Sequence, residues 1–453
     1  MDVLDLTRLQ FAVVTIYHYF FVPLSISLAA TAAGLQIAWL RTKREQHLHL
    51  TKFVGKLLII TFAVGVVTGL VQEFQFGMGW SAFAKFYGDV FGPTLAIEGM
   101  LAFFLEATFL ALWYFGWDRL PRVVHTATIV IVAIGTMISA FVILAGNSFM
   151  QNPVAYAMDP ATGRARLTSF TELLLNKVNV AAFPHTIAGA AMVGGALLMG
   201  IGVWRLRADP GFRVLARLGS WITLVGGVAV ALTGDMLGKT ITEVNPMKIA
   251  AAEALYHTTS SAPFSIVASG PPLPSFALKI PWLLSFLAAG SPTATVQGID
   301  NLQQQYAATY GPGSYIPMVP VAFWTFRLMI GIGMLAALIA AAYLWRTRRG
   351  REAPRWLTRW LPLIPLLPAA ANTFGWIFTE TARQPWLAFG LMKTSAGISP
   401  GLTSAEVIAS LTGFAVVYGV LAVLWLKLVR HTANQPLTPQ EQPVAAPEPV
   451  PVY

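Results

Sequence analysis

The chain has 453 residues, of which 56% are hydrophobic and only 11% charged, where an average soluble domain carries roughly 25% charged residues. That balance excludes an ordinary soluble enzyme, and the absence of cysteine excludes disulfides, cysteine-ligated iron–sulfur clusters, covalent c-type haem and thiolate copper. A net charge of +10 does not point to nucleic acid, because the Lys and Arg residues fall between apolar runs and form no single basic face.

The first apolar run covers 11 to 40. It is too long for the core of a secretory signal, and its upstream residues lack a basic start and a small-residue cleavage site, so it is expected to remain as a span. Charge-poor runs follow at about 53 to 72, 91 to 115, 124 to 147, 180 to 204, 217 to 237, 319 to 345, 360 to 379 and 406 to 428. Each is near or above the roughly 20 residues needed to cross a bilayer. Gly92 with Pro93, Asn152 with Pro153 and Asp209 with Pro210 are turn formers read as separators. The pattern predicts an all-α, polytopic membrane helix bundle of about nine transmembrane helices.

Alternating the connections between two sides places 41 to 56, 119 to 122, 205 to 217, 346 to 359 and 427 to 430 together, with nineteen of the thirty Lys and Arg. Cytoplasmic loops are enriched in these residues, so the amino terminus is expected outside and the carboxyl terminus in the cytoplasm. The longest outer segment, 238 to 318, contains Gly270, Pro271, Pro272 and Pro274 and an apolar piece from Ile280 to Gly290 too short to cross, read as an interfacial or re-entrant helix. Residues 431–453, with repeated Pro, are expected to form a disordered cytoplasmic tail after the membrane unit 1–430. No internal repeat is visible, which weakens an inverted-repeat transporter reading.

Ionisable groups inside spans cost about 2.5 to 3.5 kcal/mol each at mid-helix and therefore carry information. Five of the seven histidines, His47, His49, His125, His257 and His431, fall at span ends or in loops and are expected to be solvated. His18 lies within the first span and His185 opens the fifth, where either could ligate iron or bridge helices by hydrogen bonding. Glu98 and Glu106 on the third span are separated by about 12 Å along an ideal helix and roughly 80° around it. They can neutralise a metal centre, relay protons, or simply bond neighbouring helices. Arg327 in the seventh span calls for a buried anion such as a haem propionate, and the nearby Met329 could join a histidine as an axial pair. Glu380 and Arg383 close the eighth span one turn after Trp376, either as a surface ion pair or as part of an outer-half cofactor cluster. Two membrane histidines are too few for a haem–copper oxidase core or a four-histidine cytochrome b, and no hydrolase or phosphate-loop motif is present.

The motifs RLQFAVVTIYHYFFVP at 8 to 23, KFVGKL with TGLVQEFQFGMGWS within 52 to 81, GDVFGPTLAIEGMLAFFLEATF at 88 to 109, MQNP at 150 to 153 and RQPW at 383 to 386 occur in one order along the chain. In these stretches the sequence resembles subunit I of the cytochrome bd-type quinol oxidases, from about Thr7 to Arg430, in its short quinol-loop form. The resemblance implies that His185 and Met329 are axial ligands of a low-spin haem b with Arg327 beside it, and that His18 ligates one of two high-spin haems. Glu380 would ligate the other, a high-spin haem b or haem d, with Glu98 at haem d or its neighbour, and Arg383, Trp376 and Asn147 close by. Glu106 and Ser139 match positions of the proton path, while Lys248 and Glu253 match positions of quinol oxidation in the outer loop. Two departures stand out: Ala107 replaces an expected serine in the proton path, and Ala382 replaces the glycine before RQPW.

The resemblance implies a bacterial inner-membrane quinol:oxygen oxidoreductase that oxidises ubiquinol or menaquinol at the outer face, reduces O2 to water and builds a proton motive force without pumping. It implies a second membrane subunit, small single-span accessory subunits, contact with the lipid bilayer and no nucleic acid. The residues alone also admit a transporter that uses Glu98, Glu106 and Arg327, or a cofactor-free assembly subunit.

Overall fold

The computed structural model describes residues 2–270, 272–273 and 275–437, with the side chains of 102 and 103 outside that set. Among the described residues, eight helices are long and apolar enough to cross a membrane, and two further helices joined at a 42° bend make a ninth crossing. In chain order these are α1 (Val3–Thr42), α2 (Glu45–Met78), α3 (Ser81–Phe115), α4 (Arg122–Gln151), α5 (Lys177–Arg205) and α6 (Phe212–Val244). Within the long connection that follows come α7 (Pro246–Glu253), α8 (Leu283–Ala289) and α9 (Ile299–Tyr310). The bundle is completed by α10 (Val319–Arg346), the bent pair α11 (Arg355–Leu363) and α12 (Leu366–Thr381), and α13 (Ser404–Asn434). Each predicted span coincides with one of these crossings, because in hydrocarbon a helix is the open-chain form that satisfies its own backbone.

The helix ends have local causes. Asp2 accepts from the Asp5 amide to cap α1, Asn176 caps α5 through the Val178 amide, and Thr403 with Glu406 forms a capping box on α13. The α5 cap sets that helix starting before Pro184, so His185 lies two turns inside the span and does not open it. Gly92 and Pro93 likewise do not separate spans: Pro93 sits inside α3, as Pro23 does in α1. Proline is tolerated there because neighbouring helices can meet the freed carbonyl. Between Met100 and Glu106 α3 becomes a π-helix, so the α-helical angle expected between Glu98 and Glu106 does not hold.

α5 and α6 make the tightest pair. Their contact is lined by Gly195, Gly202, Gly219 and Gly226, and a Cβ on Gly219 would stand 2.3 Å from the Met199 amide nitrogen and 2.5 Å from the Gly195 carbonyl. Small residues let two backbones approach where lipid offers no hydrophobic drive for helix association.

The connection after α6 folds back on the bundle. Met247, Ala250, Ala251, Ala252, Leu302 and Tyr306 of α7 and α9 share one core with Phe323 of α10, Phe378 of α12 and Trp386. A hairpin pairs Phe264–Ser269 with Phe276–Ile280, and α8 occupies the apolar piece expected to be a short non-crossing helix. Pro271 and Pro274 of the expected turn lie outside the described residues. α13 continues to Asn434, past the expected tail boundary at 431, and residues 438 to 453 of that tail also lie outside the described set.

Gly219→Ala is expected to wedge α5 from α6 and lower the thermal midpoint of the purified complex, since overpacking costs about 1–3 kcal/mol. Gly238→Ala, whose new methyl meets nothing within 4 Å, is expected to leave the midpoint unchanged in the same scan.

Candidate functional site

The two membrane histidines are held in the same way. His18 Nδ1 lies 3.0 Å from the Thr68 hydroxyl on α2, and that hydroxyl is already committed to the Val64 and Gly65 carbonyls. His185 Nδ1 lies 3.3 Å from the Thr233 hydroxyl on α6, which donates to the Ala229 carbonyl at 2.7 Å. Because each threonine spends its proton on the backbone, each imidazole donates from Nδ1 and keeps a bare Nε2 lone pair. The next residue in each case is glycine: a Cβ on Gly69 would stand 3.1 Å from His18 Cε1, and one on Gly234 would stand 3.2 Å from His185 Cε1.

Met329 on α10 faces a third glycine, Gly375 of α12, where a Cβ would come within 2.8 Å of the sulfur. Tyr19, beside His18, stacks on Trp376 at 5.4 Å between ring centres. These two rings line a cavity between α1, α5 and α12 together with Phe20, Val193, Asn372 and Thr373. The buried Asn372 amide nitrogen has no hydrogen-bond partner.

Around the start of the long connection, four of the expected site residues join in one hydrogen-bonded run. Lys248 Nζ donates to Gln151 Oε1 at 2.8 Å, Gln151 Nε2 donates to Asn147 Oδ1 at 3.0 Å, and Asn147 Nδ2 donates to Glu380 Oε1 at 3.1 Å. The other Glu380 oxygen pairs with Arg383, whose second arm donates to the Leu387 carbonyl at 2.9 Å. Arg383 is 3% exposed, which makes this a buried pair and not a surface one. Burial pushes the Lys248 amine down to about 7, a shift that Glu380 opposes and Arg383 reinforces.

The anion opposite Arg327 is a protein carboxylate. Arg327 Nη2 stands 2.7 Å from Glu253 Oε2 and 2.7 Å from the Ser265 carbonyl, Nε donates to the same carbonyl at 2.9 Å, and Nη1 reaches the Ala252 carbonyl. Its plane lies 3.7 Å from the centre of the Phe323 ring. The guanidinium donors are met by protein groups, and Glu253 supplies a buried anion of the kind that Arg327 calls for. Glu253 Oε1 is buried without a partner, and burial pushes this carboxyl up to about 7 against the pull of the guanidinium.

The acidic residues of α3 form a separate group. Glu98 is half-buried and faces Glu73 of α2. Glu106 is 4% exposed, with Oε1 unpartnered, and it packs on Gly135, one turn before Ser139 on α4. Ser139 is buried on the same helix.

His125 departs from its expected solvation. It is 2% exposed, with Nδ1 2.7 Å from Gln36 Nε2 and Nε2 2.7 Å from the Trp113 carbonyl, because two neighbouring helices, α1 and α3, supply partners that a position at a span end does not reveal. Among residues the sequence reading left unassigned, Gln151 and Glu73 sit inside quoted motifs. Thr68 and Thr233 share a visible signal, the Thr-Gly pair in VTGL and LTGD.

Among the described residues no three His, Asp or Glu side chains converge to hold a bare metal ion. Iron carried in a planar macrocycle needs only one or two axial donors. Two imidazoles with free Nε2 atoms and a thioether, each packed against a glycine, are donors of the kind such groups take.

A family model described as cytochrome bd terminal oxidase subunit I matches residues 6–437. The chain is 40% identical over 432 residues to the cytochrome bd ubiquinol oxidase subunit 1 of Bacillus subtilis (strain 168), covering 94% of this chain and 92% of that one. It is 33% identical over 497 residues to the cytochrome bd-II ubiquinol oxidase subunit 1 of Escherichia coli (strain K12), covering 96% of each. Among solved structures it superposes on the bd oxidase from Geobacillus thermodenitrificans with a TM-score of 0.86 at 28% identity, over 95% of this chain and 98% of that one.

Thr68→Val and Thr233→Val each remove the acceptor that fixes one imidazole, a loss that typically weakens metal binding about 10–100-fold. Haem content and the reduced-minus-oxidised spectrum of the purified complex are expected to fall at a different band for each variant.

Proposed function

The chain belongs to the cytochrome bd terminal oxidase subunit I family, and from that premise we propose which of its residues handle quinol, protons and iron. It is the subunit I of a respiratory terminal oxidase, a quinol:oxygen oxidoreductase that spans the bacterial inner membrane many times, and not a transporter. The family binds haem, uses quinol and O2 and assembles with a subunit II.

Within that frame His185 and Met329 hold a low-spin haem b. His18 and Glu380 hold the two high-spin haems, one of them a haem b and the other haem d or a second haem b, with Glu98, Asn147, Trp376 and Arg383 around them. Bound haem supplies one-electron transfer and the iron at which oxygen is reduced. The basic end of the bundle faces the cytoplasm and the 238–318 segment faces outward, where it binds ubiquinol or menaquinol. Small single-span subunits complete the assembly.

The observation that carries this reading is that α7 is bonded on both sides to helices that bear the expected ligands. At one end Glu253 grips Arg327, two residues before Met329. Toward the other, Lys248 is joined through Gln151 and Asn147 to Glu380. Glu253, with one oxygen free in a dry site, takes a proton from quinol, and Arg327 keeps its other oxygen in place. Lys248 holds α7 over the carboxylate of α12, so the loop and the high-spin site move as one unit. Protons for water reach the opposite side of the site through Glu106 and Ser139. Quinol protons leave outward and those for water enter from the cytoplasm, so charge is separated without a pump.

Glu253 must be ionised to accept a proton, so quinol oxidation is expected to rise with pH through about 7 and then level off. Glu253→Gln should lower the rate and abolish that rising limb; an unchanged profile would remove Glu253 from the role. Gln151→Leu is expected to raise the quinol KM several-fold and shift the high-spin bands while sparing the low-spin band. A change in KM with unaltered high-spin spectra would break the proposed link.

A further inference from the structure

The end of the bundle away from the quinol loop has a second concentration of side chains that oxygen reduction does not use. Residues 346 to 359 include six arginines and a single acid, Glu352. Trp345, Trp356 and Trp360 are 63%, 65% and 63% exposed, and Trp204 of α5 and Trp221 of α6 are exposed at the same end. Tryptophans concentrated at one depth mark the headgroup level of a bilayer.

This segment is ordered in a way that topology alone does not require. Arg355 and Arg359, and likewise Trp356 and Trp360, repeat four residues apart on the exposed side of α11, while Leu357 and Leu361 are buried. α11 is therefore amphipathic, and it meets the crossing helix α12 at 42°. The Arg348 guanidinium lies 3.7 Å over the Trp345 ring. Behind it, Arg217 of α6 donates to the Thr347 carbonyl and hydroxyl at 3.2 and 3.0 Å, bringing a further positive charge to the segment. Trp345, Arg346, Arg348, Arg351, Glu352 and Pro354 line an open cavity there. Arginines that serve only to fix orientation can stay solvated, whereas Arg346, Arg348 and Arg351 line a concave site with Trp345 on one wall.

We propose that this cavity binds the phosphate of an anionic phospholipid, with Arg346, Arg348 and Arg351 on the phosphate oxygens and the tryptophans beside its glycerol and upper acyl region. Arginine suits this role because its planar fork binds phosphate through two hydrogen bonds and its face stacks on indole. A lipid is the occupant that matches both the positive charge and the interfacial tryptophans.

The test uses the purified holoenzyme complex in nanodiscs of phosphatidylcholine with spin-labelled phosphatidylglycerol, reading the immobilised fraction of label. Wild-type enzyme is expected to retain the anionic label in preference to its phosphatidylcholine analogue. The double variant Arg348→Gln with Arg351→Gln removes two of the three forks on the phosphate and should abolish that preference. Arg41→Gln with Arg44→Gln removes equal charge at the same end and should leave the preference intact. Unchanged haem spectra and turnover in both variants report intact folding. Equal losses in the two double variants would reduce the effect to general surface charge and overturn the site. Displacement of the label by inorganic phosphate would assign the cavity to a free ion and overturn the lipid.

Discussion

The buried guanidinium of Arg327 sets the terms for the end of the bundle that carries the 238–318 connection. A charge left unpaired at that depth is among the most expensive features a membrane helix can carry. Its acceptors are the Ser265 and Ala252 carbonyls and the Glu253 carboxylate, all in the segment that follows α6. That segment therefore cannot lift from the bundle without stranding the charge. Its first helix, α7, is fixed over α10 and α12, and only that placement lets Lys248 reach Gln151. One intramembrane arginine thus ties a long connection to the bundle.

The metal-facing half follows a different constraint. An imidazole can ligate iron only from a bare nitrogen, so the other nitrogen must be the donor. α2 and α6 solve this with the same local device, a threonine whose proton is taken by its own helix and a glycine that clears space beside the ring. The weak point is the hydroxyl acceptor: it orients the ring without adding the negative charge that a carboxylate partner would.

The nine crossings were legible because hydropathy and length decide them with little help from tertiary contacts. Individual residues were legible when burial alone made them costly, as with Glu106, Arg327 and the two histidines. What escaped was pairing at a distance. Gln151 meets Lys248 across 97 positions and Arg327 meets Glu253 across 74. Nothing in periodicity ranks Glu253 above a propionate as the partner of Arg327. His125 misled for the same reason: its place at a span end suggests water, yet Gln36 and the Trp113 carbonyl close around it. The π-helical turn in α3 is equally invisible, since it changes spacing without changing composition.

The two ends of the bundle now differ in kind. The loop end gathers paired or hydrogen-bonded ionisable groups whose partners come from several elements, so removing any one leaves another unsatisfied. The opposite end gathers arginines and tryptophans directed to the bilayer surface. Glu106 belongs to neither set: buried, with one carboxyl oxygen unpartnered, it closes the π-helical stretch that begins at Met100 and packs on Gly135 of α4. Ala107 supplies no hydroxyl next to it, and the α4 residue packed against its side chain is Gly135. Its surroundings are therefore set by the α3–α4 contact and not by the network that ties α7 to α10 and α12.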